Sequence, residues 1–209
     1  MPNPENKITN NEMVKTPTLT IGVAQRIYLD TTKSAAHSAL RSVIGTMIDK
    51  DIRTEFENDS YLDALILSEM MFARSVKSVK MLTGDGCDTF LQTLGDSFIG
   101  TLKRLQAIGG KMRVLMVATE IPKFISDAQA KFNTTLEVAL LRVKPQTQVP
   151  HFLVCDSRMA RVEKPHGPLT NDTPADAIQA SVHFNNPSRS ELLESRFDAF
   201  WSVATAKTA

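Results

Sequence analysis

The residues with the most chemistry in them lie between Arg142 and His166. Five cations fall between Arg142 and Lys164 (Arg142, Lys144, Arg158, Arg161 and Lys164), against two acids, Asp156 and Glu163. His151 lies inside this stretch and His166 just beyond it. A local excess of guanidinium and ammonium groups beside imidazoles suits the holding of a phosphate or of a partner's carboxylate, through charge-assisted hydrogen bonds. A structural reading uses the same residues. Arg161 and Glu163 are two apart, so on a strand they share a face and pair with each other or with water.

Other chemical patterns fail on inspection. Gly110-Lys111 ends like a phosphate-binding loop, but Met112 follows where Ser or Thr is needed and Leu105 stands where the first Gly belongs. A helix-ending turn explains the two glycines. Gly84-Asp85-Gly86-Cys87-Asp88 lacks the later bidentate Glu of a calcium loop and reads as a strand-to-helix turn. Cys87 has no partner nearby in sequence to activate it, and Cys155 sits in an apolar run, so both read as inert thiols. Asn133-Thr134-Thr135 matches a glycosylation acceptor without any sign of secretion. His37 and His183 are isolated. Four histidines and two cysteines leave little material for zinc, so no metal and no cofactor is expected.

Those residues must be positioned by regular elements, and the chain supplies them. Residues 1–16 carry no periodic apolar pattern and read as a solvated tail. From Asp30 to Lys50 the pattern is helical, with Leu40, Val43, Ile44, Met47 and Ile48 on one stripe. A charged break covers Asp49 to Asp59. A second helix runs from Tyr61 to Ser75, with Met70 and Met71 as core filling. Strands and helices then alternate. Val76–Leu82 is a strand, and Thr89 to Gln92 is a capping box opening a helix that shows Leu91, Leu94, Phe98, Leu102 and Leu105 on one face. That helix ends at Gly109-Gly110. Met112–Ala118 is a strand covered on both faces, Ile121–Phe132 a helix and Leu136–Val143 a strand. Phe152–Cys155 and Met159–Glu163 form a hairpin about Asp156-Ser157-Arg158. A loop spans Lys164 to Asp176, Ala180–Phe184 is the last strand, and Ser188 to Glu191 caps a closing helix that buries Leu192, Leu193, Phe197, Phe200 and Trp201. The alternation predicts a mixed α/β layer fold.

Composition bounds the function. With 24 Lys and Arg against 23 Asp and Glu, the net charge of +1 excludes a generally basic nucleic-acid coat. Two cysteines cannot make a disulfide framework, which points to a reducing compartment. The run Ala64–Ala73 is interrupted by Ser68 and Glu69 and is far short of a membrane span of roughly 20 residues. With no signal-peptide pattern at the start, a cytoplasmic location is the expectation.

The stretch Val149 to His166, "VPHFLVCDSRMARVEKPH", with the strand and helix before it, resembles one half of the phospholipase D superfamily fold. The resemblance covers roughly residues 60–205 and rests on the order of elements and on the "FLVCD" strand followed by a turn. That family's signature is His-x-Lys-x4-Asp. With Asp156 as its Asp, His151 falls at the Lys and Val149 at the catalytic His. Where the family has Gly-Ser-x-Asn, this chain has Glu163-Lys164-Pro165-His166.

The resemblance implies a phospholipase D-like half-domain sheet flanked by helices over residues 60–209, with an N-terminal helical extension over 17–59. It also implies that the chain is not an enzyme, because the family's reaction forms a phosphohistidine and valine supplies no nucleophile. What survives is binding through His151, Asp156, Arg158, Arg161, Glu163, Lys164 and His166. Two uses stay open: a regulator or inhibitor of a larger machine through protein contacts, which is favoured, and a nucleic-acid (phosphate) module. Homodimer formation also stays open.

Overall fold

The computed structural model describes residues 19–31, 35–84, 87–142, 149–164, 166 and 169–206, with backbone alone at residues 31, 35 and 36. The elements in chain order are α1 Ile21–Thr31, α2 Ala35–Asp49, β1 Thr54–Asn58, α3 Tyr61–Arg74, β2 Ser78–Gly84, α4 Cys87–Thr93 and α5 Gly95–Ile108. Then come β3 Lys111–Val117, α6 Lys123–Lys131, β4 Leu136–Leu140, β5 Phe152–Cys155, β6 Met159–Glu163, a 3-10 turn Ala175–Ala177, β7 Ala180–Phe184 and α7 Pro187–Thr205.

The strands form one seven-stranded mixed sheet in the order β1-β7-β6-β5-β2-β3-β4. The β2–β3 and β3–β4 pairs are parallel, and the other four are antiparallel. Both faces are covered. Leu153 and Cys155 of β5 and Val114 of β3 join a cluster with Leu65, Met71, Phe72 and Phe98 of α3 and α5. Phe152, Val154 and Leu115 point the other way, onto Leu193 and Phe197 of α7. All four β5 residues are therefore buried, as expected for a strand covered on both faces. The mixed α/β class, with a sheet flanked by helices, is as the sequence predicts. Met70 and Met71 are core residues, and Cys155 is fully buried, which pushes its thiol up to about 12.

Several local expectations are corrected. The helical region over 30–50 is two helices, and α1 begins at Ile21, ahead of the segment the pattern marked. Ile21, Ala24 and Tyr28 of α1 face the core, but Gly22 and the β-branched Val23 dilute the helical signal. Val43 lies off the buried stripe of α2, at 52% exposure. The charged break contains β1, an edge strand that turns Phe56 inward and Glu55 and Glu57 outward. Charged side chains are usual on such an edge. Segment 17–59, expected as a helical extension, therefore contributes a strand to the sheet and buried residues to its core.

The Thr89 capping box is not a helix start. The helix begins two residues earlier at Cys87, and Leu94 separates it from α5. The closing helix is capped by Asn186, whose side chain accepts from the Arg189 N–H, with Pro187 in the first turn. Leu192 is exposed, Leu193 and Phe197 are buried, and Phe200 and Trp201 pack in part against the α7-side cluster. Gly109 does end α5, at φ 71° in the left-handed region. The expectations for residues 1–16, 85–86, 143–144 and 165 lie outside the described residues.

Candidate functional site

The β5–β6 hairpin carries Asp156, Arg158, Arg161 and Glu163 of the sequence-predicted site, with His151 just before it and Lys164 and His166 after it. Its antiparallel register sets Leu153 opposite Arg161. One step further, the Glu163 N–H donates to the His151 carbonyl at 2.9 Å. Directly opposed residues share a face, so Arg161, Glu163 and His151 gather at the open end of the hairpin on the α3 side of the sheet.

Glu163 is the centre of this group. Its Oε1 accepts from Arg161 Nη1 at 2.5 Å, as the same-face reading of these two residues expects. Its Oε2 lies 3.2 Å from both His151 Nδ1 and His166 Nε2. The two imidazoles meet edge to face with centroids 5.0 Å apart. Burial alone would raise the Glu163 pKa. The Arg161 charge and the hydrogen bonds from His151, His166 and Arg161 outweigh it and hold the carboxyl well below the usual range.

Arg161 is 4% exposed. Its Nε donates to Asn58 Oδ1 at 2.9 Å, and Asn58 is fixed by its own bond to the Ser60 carbonyl at 2.7 Å. Arg161 Nη2 is buried without a partner. His151, Arg161, Glu163 and His166 line a cavity of about 270 Å³ together with Tyr61, Gly84, Ser68 and Asn171. The Tyr61 hydroxyl accepts from Gln25 Nε2 at 3.0 Å, and burial pushes its pKa up to about 12, so it is a neutral phenol. Gly84 gives the His151 ring its room: a Cβ there would stand 2.6 Å from His151 Nε2.

Three predicted site residues go elsewhere. Asp156, at the turn, accepts the N–H groups of Val76, Lys77 and Ser78 at 2.8, 2.7 and 2.9 Å and pins the start of β2. Arg158 donates to the Ile48 carbonyl in the last turn of α2 at 3.3 Å and to Asp51 Oδ1 just beyond the helix at 2.8 Å. Lys164 reaches Gln179 Oε1 at 3.1 Å and stands 3.7 Å from Glu57. Arg158 and Lys164 thus leave the group for separate pairs. Val149 packs against the α7-side cluster and not among the cavity residues. His183 is buried, with Nδ1 3.4 Å from Glu55 Oε2 and Nε2 3.2 Å from Ser181 Oγ.

Tyr61 and Gly84, which line the cavity, and Asn58, which anchors Arg161, are residues that the sequence did not mark. Only Gly84 had a local signal, a glycine at the end of an apolar strand, which can indicate close approach.

No protein-family model matches the chain, and a search of curated proteins finds no match. Solved structures do resemble it. TrmBL2, an archaeal chromatin protein whose structure shows a novel mode of DNA binding, aligns with a TM-score of 0.54 at 16% identity, over 86% of this chain and 65% of that one. The chain thus spans just under two thirds of TrmBL2, and the likeness is one of fold. Nuc from Salmonella typhimurium, a phospholipase D family member, aligns with a TM-score of 0.49 at 12% identity, over 72% of this chain and 95% of that one. NucT from Helicobacter pylori gives 0.49 at 9% identity with the same coverage. No helix among the described residues is long and apolar enough to cross a membrane.

Proposed function

We propose that the chain is a phospholipase D-like module that acts by binding rather than by hydrolysis, and that the cavity at the open end of the β5–β6 hairpin is its ligand site. The observation that carries this reading is the buried, unpartnered Arg161 Nη2. A buried donor on a charged group is costly when unmet, and a bound acceptor removes that cost. The other guanidinium nitrogens are held by Asn58 and Glu163, so the fork is oriented before any ligand arrives. Carboxylates and phosphates are the groups that match it. A cavity of about 270 Å³ takes a small ligand or the end of a larger one.

The absence of hydrolysis is argued from Val149. It stands where the resembled family has its nucleophile, and its side chain packs toward α7. Among the described residues, the dispersal of Arg158 and Lys164 into ion pairs leaves no continuous cationic track for a polyanion. A protein is therefore favoured over nucleic acid as the partner that responds to the occupied module.

The test is thermal unfolding with and without inorganic phosphate, beside an assay on a bis-aryl phosphodiester. A phosphate-dependent rise in Tm without turnover supports the reading. Turnover that disappears in His151→Ala overturns it. Tight oligonucleotide binding at physiological salt, abolished by Arg161→Glu, replaces the protein partner with a nucleic acid.

A further inference from the structure

We propose that His151, Glu163 and His166 form a binding site for a single divalent transition-metal ion, with zinc the best fit and an open coordination position facing the cavity. The inference does not depend on the anion-binding reading. It rests on three ligand atoms and what surrounds them.

The atoms are His151 Nδ1, Glu163 Oε2 and His166 Nε2, and all lie within 4.8 Å of one another. Among the described residues no other group of three such side chains comes as close. Both imidazole nitrogens stand 3.2 Å from the same carboxylate oxygen. Zinc bonds of about 2.0–2.1 Å in a tetrahedron set neighbouring ligands about 3.3 Å apart. Two edges of the site already have this length. Two nitrogens and one oxygen form a borderline donor set that suits zinc and its first-row neighbours. Calcium and magnesium favour oxygen shells.

The surroundings orient the ligands. His151 and Glu163 are joined by a backbone hydrogen bond at the ends of neighbouring strands. Glu163 Oε1 is held by Arg161, and Arg161 in turn by Asn58. Outer partners of this kind fix the lone pair that faces a metal. The carboxylate stands between the two cations, with Arg161 on one oxygen and the metal on the other, which limits their repulsion. Glu163 contributes one negative charge against the metal and Arg161 together, so the site has a net excess of positive charge. An anion in the open position, whether hydroxide, phosphate or a ligand carboxylate, offsets it.

Binding moves protons in a defined way. A neutral ring whose proton faces Glu163 shifts it to its other nitrogen through solvent. A ring that starts as imidazolium releases one proton.

The experiment is a titration of chelator-treated, dialysed full-length chain with Co²⁺ and then Zn²⁺, without phosphate. The expected result is the visible absorption of tetrahedral cobalt, saturating at one ion per chain and lost when zinc displaces it. His151→Ala and His166→Ala should each weaken zinc binding by at least about tenfold, with circular dichroism showing that both remain folded. His183→Ala should bind like the parent, since His183 sits outside the cluster. No cobalt absorption, or zinc affinity unchanged in both variants, overturns the site. Either outcome leaves the phosphate-dependent Tm shift through Arg161 to be judged on its own measurement.

Discussion

The two ends of the β5–β6 hairpin each carry an acid and an arginine and do different work. At the turn, Asp156 and Ser157 take positive φ values of 54°, and the side chains of Asp156, Ser157 and Arg158 all find partners in the surrounding protein. Asp156 receives three backbone N–H groups, Ser157 Oγ donates to Glu194, and Arg158 reaches Asp51 and the Asn185 side chain. At the open end Arg161, His151 and His166 converge on one carboxylate beside a void, and a guanidinium nitrogen is left over. Polar residues matched by the backbone act as a latch. Polar residues matched mainly by one another, around a cavity, leave capacity for something else.

The largest expected effect tests the latch. Asp156→Ala removes three charge-assisted hydrogen bonds. Single bonds to charged groups are worth about 1.5–3 kcal/mol, and two of these three are exposed enough for water to replace them. A loss of stability on the order of 3 kcal/mol in urea unfolding follows, with zinc and phosphate affinities of the folded protein unchanged. Lost ligand affinity at full stability would join the two ends into one site.

The second test removes the open end's charge pair. Exchanging a buried ion pair for apolar residues of similar size is often neutral, or stabilising by about 1–4 kcal/mol. The double variant Arg161→Met with Glu163→Leu should therefore fold as well as the parent while losing the phosphate-dependent Tm shift. Severe destabilisation would show that the open end, too, is a structural device. The smallest effect is at the turn's surface. Arg158 and Asp51 are partly and largely exposed, so Arg158→Ala should cost about 0.2–1 kcal/mol, measured by the same unfolding curves.

Much of the sheet was legible in the sequence. Strands β5, β6 and β7 have the bounds the pattern gives, because short runs of apolar residues are closed by Asp156-Ser157-Arg158 and Asn185-Asn186-Pro187. β1 was hidden because Phe56 is its only large apolar residue and two glutamates flank it. The site was legible as a stretch but not as a place. His151, Arg161, Glu163 and His166 were marked together with Asp156, Arg158 and Lys164, yet a hairpin separates its turn from its open end, so nearness in sequence did not become nearness in space. The ligand set had no sequence spacing because His151 meets Glu163 and His166 only across the strand pair.

The bond from Arg161 to Asn58 joins residues 103 positions apart, and the Arg161 side chain spans β7 to reach it. This makes the orientation of the guanidinium depend on chain closure. Contacts between distant segments bear the entropy of closing the loop between them. Until β1 docks on β7, the guanidinium lacks the anchor that orients it. A chain that begins after Asn58 would keep both histidines and the glutamate but lose that anchor. A ligand that requires the oriented fork then selects the fully closed chain and stabilises it by mass action, so occupancy of the cavity reports that the first strand has reached its place.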